Sequence, residues 1–245
     1  MEQSNVKPKK RKVWLWILLI AVAATAVLIV TWGYPYYKRH FRPVLVDEKA
    51  AVTGTKVPLE GRKVLSVYFT RVGNSDFDED VSPVSGASLM LDGETLIGNS
   101  QLLAEMIRDA AGGEIVPVLT EKKYPSSYDD TVSDAKKELD SGELPKLAGE
   151  PVPDWESYDV VFMIYPVWWG TIPMAVRSFL EQYDFSGKTV IPVATHGGSK
   201  FGSSLQDLAQ YCSGEVLTDQ GLEVYCDDVP GMREKITGWL EKLDV

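Results

Sequence analysis

Residues 158–204 read YDVVFMIYPVWWGTIPMAVRSFLEQYDFSGKTVIPVATHGGSKFGSS. The opening run, 158–165, is apolar almost throughout, as a strand buried on both faces of a sheet must be. A helix is expected over 173–183, and residues 188–195 (KTVIPVAT) form a second strand of the same kind. Strand, helix and strand in that order make one unit of a parallel sheet.

The same alternation continues on both sides. Upstream, residues 63–69 (KVLSVYF) read as a strand, and Gly98-Asn99-Ser100 precede Leu102, Leu103, Met106, Ile107 and Ala110, an apolar stripe on one helical face. Gly112-Gly113 end that helix, 114–119 form a further strand, and 129–139 are weakly helical. Downstream come a helix over 203–211, a last strand within 215–225 and a terminal helix over 231–243. The fold class is therefore α/β, a parallel sheet of five strands covered on both faces.

Residues 13–32, from Val13 to Trp32 (VWLWILLIAVAATAVLIVTW), carry no charge, proline or glycine. At about 1.5 Å per residue they span ~30 Å, a bilayer's hydrocarbon core. Trp14, Trp16 and Trp32, then Tyr34, Tyr36 and Tyr37, mark its ends. A cleaved signal peptide, with Ala21-Val22-Ala23 or Ala24-Thr25-Ala26 as its site, has a shorter apolar region, so an uncleaved transmembrane helix is expected. Lys7, Lys9, Lys10, Arg11 and Lys12 precede it, against Lys38, Arg39 and Arg42 after it. That imbalance predicts a cytoplasmic N-terminus and an extracytoplasmic domain. The expected organisation is a basic tail over 1–12, the helix over 13–32, a juxtamembrane segment and linker over 33–61, and the α/β domain over 62–245.

The chain's net charge is −10. Residues 1–42 hold eight Lys/Arg and one Glu, so residues 43–245 hold 17 and 34, a net −17. Such a domain repels a phosphate backbone, which argues against nucleic acid as a partner. Two histidines, His40 and His196, and two cysteines are too few for a histidine-rich or four-cysteine metal centre. Cys212 and Cys226 lie at opposite ends of the last expected strand, ~33 Å apart if extended, beyond a disulfide's reach.

Ligands of open α/β sheets bind beyond the carboxyl ends of the strands, which directs attention to three loops. After the first strand comes Thr70-Arg71-Val72 and a long loop to Gly98. Gly-Asn-Ser occurs twice, at 73–75 and 98–100. The first copy runs into Asp76, Asp78, Glu79 and Asp80, which repel anions; the second opens a helix, whose N-terminus attracts them. Anion binding is thus assigned to Thr70, Arg71, Gly98, Asn99 and Ser100, the plain alternative being an N-cap at Asn99 or Ser100. The second loop, Pro166, Val167, Trp168, Trp169, Gly170 and Thr171, brings two tryptophans to the same edge, where one could stack on a planar ligand while the other packs inward. The third, Thr195, His196, Gly197, Gly198, Ser199, Lys200, Phe201 and Gly202, offers a donor-rich rim; His196, alone, is read as structural or as a ring contact, not a metal ligand. Phosphate at one loop, a flat ring at the next and donors at the third describe a mononucleotide with a large planar head.

In these stretches, VYFTR (67–71), GNSQLLAEMI (98–107), 165–192 and THGGSKFGSS (195–204), the chain resembles the flavodoxins, specifically a bacterial branch with a long insert before the GN[ST] helix. The resemblance spans essentially all of 62–245 and none of the apolar N-terminus. It implies a doubly wound sheet of order 2-1-3-4-5 holding FMN non-covalently, with the phosphate loop mapping onto Thr70, Arg71, Asn99 and Ser100. The ring loops map onto 166–171 and 195–202. The insert, 72–98, splits the short phosphate loop of simple flavodoxins. Within it Ser85-Gly86-Ala87-Ser88 is similar to the site that flavin transferases modify, but Ser82 stands where that motif needs Asp.

The expected function is that of a membrane-anchored electron carrier, with no dedicated catalytic acid, base or nucleophile. Its partners would be a redox protein or a small electron donor or acceptor, a basic protein being steered by the Asp76–Asp80 cluster. The acidic domain is expected to lower the cofactor's reduction potential. An NAD(P)H-dependent reductase of quinones or other small acceptors is the alternative on the same loops, and a flavin-free tethered binding module is the second.

Overall fold

The computed structural model describes residues 10–34, 45–46, 57, 59, 61–77, 88–93 and 95–245. The chain forms two units, Met1–Arg42 and Pro43–Val245. The first contains helix α1 (Lys10–Leu28) running into a π turn, Ile29–Gly33. Trp14–Gly33 is long and apolar enough to cross a membrane, with mean hydropathy 2.5 and no part buried by the protein. Its two threonines need no water: Thr25 Oγ1 donates to the Ala21 carbonyl and Thr31 Oγ1 to that of Val27.

The second unit is built on a parallel sheet. Strand β2 (Val64–Tyr68) lies between β5 (Glu114–Pro117) and β8 (Val160–Pro166); beyond β8 comes β9 (Thr189–His196). The fifth place is filled by two short pieces, β10 (Glu215–Val216) and β11 (Leu222–Tyr225), each parallel to β9. Counting these as one strand, the order is the expected 2-1-3-4-5. Every residue of β8 is buried, which explains its unbroken apolar run.

Alternate β residues feed two cores. Leu65, Val67, Val161 and Met163 face α4 (Met174–Gln182) and α5 (Ser204–Tyr211). Val64, Val160, Phe162 and Ile164 face α2 (Asn99–Ala111) and the C-terminal segment. Helix α3 (Tyr128–Ser141) buries only Thr131 and Ala135, which accounts for its weak apolar pattern.

Four elements differ from expectation. The insert contains an antiparallel hairpin, β3 (Leu89–Asp92) and β4 (Thr95–Gly98), to which β1 (Leu45–Val46) adds in parallel. Part of the expected linker is therefore structured, and Leu59 is buried while the Val57 N–H donates to the Ala110 carbonyl. The strand expected over 114–119 leaves the sheet at Pro117; Leu119–Thr120 (β6) pairs instead with Leu147–Ala148 (β7). The single terminal helix is replaced by a 3-10 segment, Cys226–Glu234, and a short α6 (Ile236–Leu240). Pro230 lacks an N–H, and the buried Val229 and Met232 stand three apart, a 3-10 spacing. Both cysteines are free and buried. Asp78, Glu79, Asp80 and 81–87, including Ser85-Gly86-Ala87, lie outside the described residues.

Candidate functional site

Strands β2, β8 and β9 are neighbours in parallel register, with Tyr68 beside Ile164 and Pro166 beside Thr195. Their three following loops therefore leave the same sheet edge.

At the end of β2 the chain turns sharply. The N–H groups of Asn74 and Ser75 both donate to the Arg71 carbonyl, at 2.9 and 2.8 Å. The Asn74 amide is fully used: Nδ2 donates to the carbonyls of Thr70 (2.8 Å) and Val118 (2.9 Å), and Oδ1 accepts from the Thr120 N–H (2.8 Å) and hydroxyl (3.1 Å). The first Gly-Asn-Ser copy is thus a brace. The second copy is different. Gly98 presses on the Thr70 side chain, leaving no room for a Cβ. It serves as the N-cap of α2, with no side-chain cap and no acidic residue in the first turn. Asn99 and Ser100 are wholly buried, and the Asn99 Oδ1 and Nδ2 and the Ser100 Oγ have no partner. They do not cap the helix, which removes the plain alternative for these residues.

Arg71 follows Thr70 at the end of β2. Its side chain is buried, 4% exposed, and Nη2 donates to the carbonyls of Pro125 (3.0 Å) and Ser126 (2.6 Å). Its Nε is buried without a partner, and no carboxylate among the described residues lies within ion-pair distance. Burial pulls its pKa down to about 10, so it remains charged at neutral pH. A buried cation without a counter-charge is costly unless an anion is supplied.

After β8, Trp168 and Thr171 exchange both backbone hydrogen bonds at 3.0 Å. Trp169 and Gly170, at φ 52° and 80°, form the two central residues of a type I′ turn. A left-handed tryptophan costs about 1 kcal/mol, and the turn is held by Trp169 Nε1 donating to the Val132 carbonyl (2.9 Å), with Lys136 over the ring at 5.6 Å. Trp168 is the packed member of the pair, edge-on to Phe69 (5.2 Å) and Tyr124 (5.3 Å). Trp169 is 51% exposed. Pro166, Val167 and Thr171 are buried and form the turn's base.

The third loop is stitched to the second. The Ser203 N–H and hydroxyl donate to the Gly170 carbonyl, and the Thr171 and Ser203 hydroxyls both bond the Asp207 carboxylate. Gly197, Gly198, Ser199 and Gly202 stay on the exposed rim, while Thr195 is buried in β9. His196 and Phe201 turn away from it. His196 Nδ1 accepts from the Gly198 N–H (3.0 Å), so Nε2 carries the proton donated to Glu223 on β11. Burial pushes the Glu223 carboxyl up, but bonds from His196 and Lys200 outweigh it and hold it below the usual range. The Phe201 ring packs against Gly221.

Sequence reasoning gives no role to Asp207, Tyr124 or Glu138, weighs the copy holding Asn74 only as an anion site, and reads Ser88 only as part of the Ser85–Ser88 stretch; the partners that define these residues lie elsewhere in the chain. Tyr124 OH donates to Glu138 at 3.0 Å, and burial outweighs that bond, pushing the Glu138 carboxyl from 4.5 up to about 7. Its folded pKa exceeds the unfolded one, so ionising it lowers stability as pH rises from about 4.5 through about 7. Glu138→Gln is expected to stabilise the protein by on the order of 1–2 kcal/mol near pH 8 and by almost nothing near pH 4, read from thermal melts. Equal shifts at both pH values would contradict this.

The buried Arg71 guanidinium and the unpaired Asn99 and Ser100 side chains are groups that an anion such as phosphate would satisfy, and Trp169 presents an exposed ring in the loop after β8. The parallel sheet, its strand order and the helices on its two faces define an α/β domain of the doubly wound type. A family model described as flavodoxin matches residues 97–243, more than half the chain, and the chain belongs to the flavodoxin family. Two crystal structures resemble it in fold. A candidate flavoprotein from Bacteroides uniformis ATCC 8492 aligns with TM-score 0.53 and 24% identity, over 75% of this chain and 100% of that one. Another, from Bacteroides eggerthii DSM 20697, gives 0.50 and 24%, over 75% and 99%. No curated protein matches the chain.

Proposed function

We propose that the folded unit binds FMN non-covalently and serves as a membrane-anchored electron-transfer flavoprotein. The observation that carries this reading is the set of buried polar groups left unmatched at the end of β2 and the start of α2: the Arg71 guanidinium, without a carboxylate partner among the described residues, and the unpaired Asn99 and Ser100 side chains. Arg71, Asn99 and Ser100 would hold the phosphate. The Trp168–Thr171 turn would receive the ring, and Gly197–Gly202 would border it. When bound, FMN supplies one- or two-electron redox chemistry. The chain's own residues orient it, neutralise its phosphate and limit water around it. Trp14–Gly33 would anchor the protein, and the five-to-three excess of Lys/Arg before the span favours a cytoplasmic N-terminus.

The test is the visible spectrum of the full chain purified in detergent, with any flavin identified after denaturation. Flavin absorption that proves to be FMN, and slow reduction by NAD(P)H alone, are the expected results. A colourless protein that takes up no added FMN would overturn the reading; rapid reduction by NAD(P)H would make the protein a reductase instead.

A further inference from the structure

Ser88 is the point at which the insert returns to the site. Leu89 pairs with Gly98 across the β3–β4 hairpin, so Ser88 stands opposite Asn99, just outside the last rung. Its carbonyl accepts from the Asn99 N–H at 3.1 Å and from the Thr70 hydroxyl at 2.9 Å. Its own hydroxyl accepts from Trp168 Nε1 at 3.3 Å, across 80 residues of chain. Ser88 is 2% exposed, so water cannot readily replace it as the indole's partner. One residue therefore touches both halves of the anion corner through its backbone and the ring turn through its side chain.

We propose that Ser88 is a positioning residue that couples the phosphate corner to Trp168, so that filling the corner resets the indole on which the ring turn is built. This deepens the FMN reading and rests on it. Occupation of the corner draws on Thr70 and on the start of α2, both bonded to the Ser88 carbonyl. Movement there is carried through a single rigid residue to the Trp168 N–H. Phe69 and Tyr124, edge-on against the same indole, give it a packed seat in which a small displacement is felt.

The experiment uses the full chain in detergent, labelled with 5-fluorotryptophan, the Trp168 resonance being identified by its loss in Trp168→Phe. Saturating inorganic phosphate is expected to shift that resonance in the wild type and in Ser88→Thr, which keeps the hydroxyl, but not in Ser88→Ala. FMN affinity is expected to fall about tenfold in Ser88→Ala and to recover in Ser88→Thr. An unchanged phosphate-induced shift in Ser88→Ala would overturn the coupling while leaving FMN binding standing. Wild-type protein that binds neither phosphate nor FMN would instead remove the underlying reading, and the coupling with it.

Discussion

Arg71→Met is expected to weaken FMN binding by about 100-fold and to leave riboflavin binding unchanged. The guanidinium is 4% exposed, its Nε has no partner, and no carboxylate among the described residues offsets its charge. A charge-assisted bond to a phosphate in such surroundings is worth far more than one at the surface, and the loss of about 2.7 kcal/mol corresponds to that factor. Methionine keeps most of the apolar stem but gives up the guanidinium's place over the Phe77 ring, 5.1 Å away, a loss offset by removing an uncompensated buried charge. Pro125 and Ser126, whose carbonyls lose a donor, are only partly buried and can turn to water. The apoprotein should therefore melt no lower than wild type. Calorimetric titration with the two flavins checks the result. Equal losses for both would show that Arg71 supports the fold and not the phosphate.

The second large effect is on stability. Asn74→Ala removes two donated and two accepted hydrogen bonds from one buried side chain. It also strands buried groups that those bonds satisfied, among them the Thr120 N–H, whereas the Thr120 hydroxyl keeps its bond to the Lys122 carbonyl. Leaving buried polar groups unmet costs about 1–3 kcal/mol each where water cannot enter, and a network loses more than its average bond. A loss of about 3–4 kcal/mol is expected, or roughly 6–16 °C in melting temperature for a unit of this size. Asn74→Asp should fare no better, because a carboxylate cannot donate to the Thr70 and Val118 carbonyls. A drop of only a degree or two in both variants would mean that the turn after β2 holds itself.

These two residues show how much of the site was legible. Arg71 stands out in the sequence because it follows the first strand at an edge where α/β sheets bind ligands, and the structure buries it there. Asn74 reads in the sequence as part of a repeated motif, in the copy whose acidic neighbours disfavour an anion. The structure gives the two Gly-Asn-Ser copies different surroundings, and nothing in the sequence reveals that the first copy braces the turn.

The tryptophan pair divides in the same way. Two adjacent indoles at a strand end announce a loop with one aromatic ring exposed and one packed. Which one faces out follows from φ 52° at Trp169, a backbone state imposed by the type I′ turn that Gly170 completes. His196 and Phe201 lie on the rim in sequence but turn inward, because Glu223 and Gly221 on the neighbouring strand segment meet them there.

Local patterning alone specified the strands of the parallel sheet, the helices between them, the apolar N-terminal span and the three loops, but not the hairpin of the insert or the 3-10 segment near the C-terminus, since burial on one or both faces leaves a periodic trace in consecutive residues. The strand order came from family resemblance and is borne out. Tertiary structure alone decided that Asn74 reaches Thr120, 46 residues on, that Trp168 meets Ser88 across 80, and that Asp207 clasps Thr171 across 36. Hydrogen bonds between distant segments leave no periodic trace, because each needs only one donor and one acceptor brought together by the packing of everything between them.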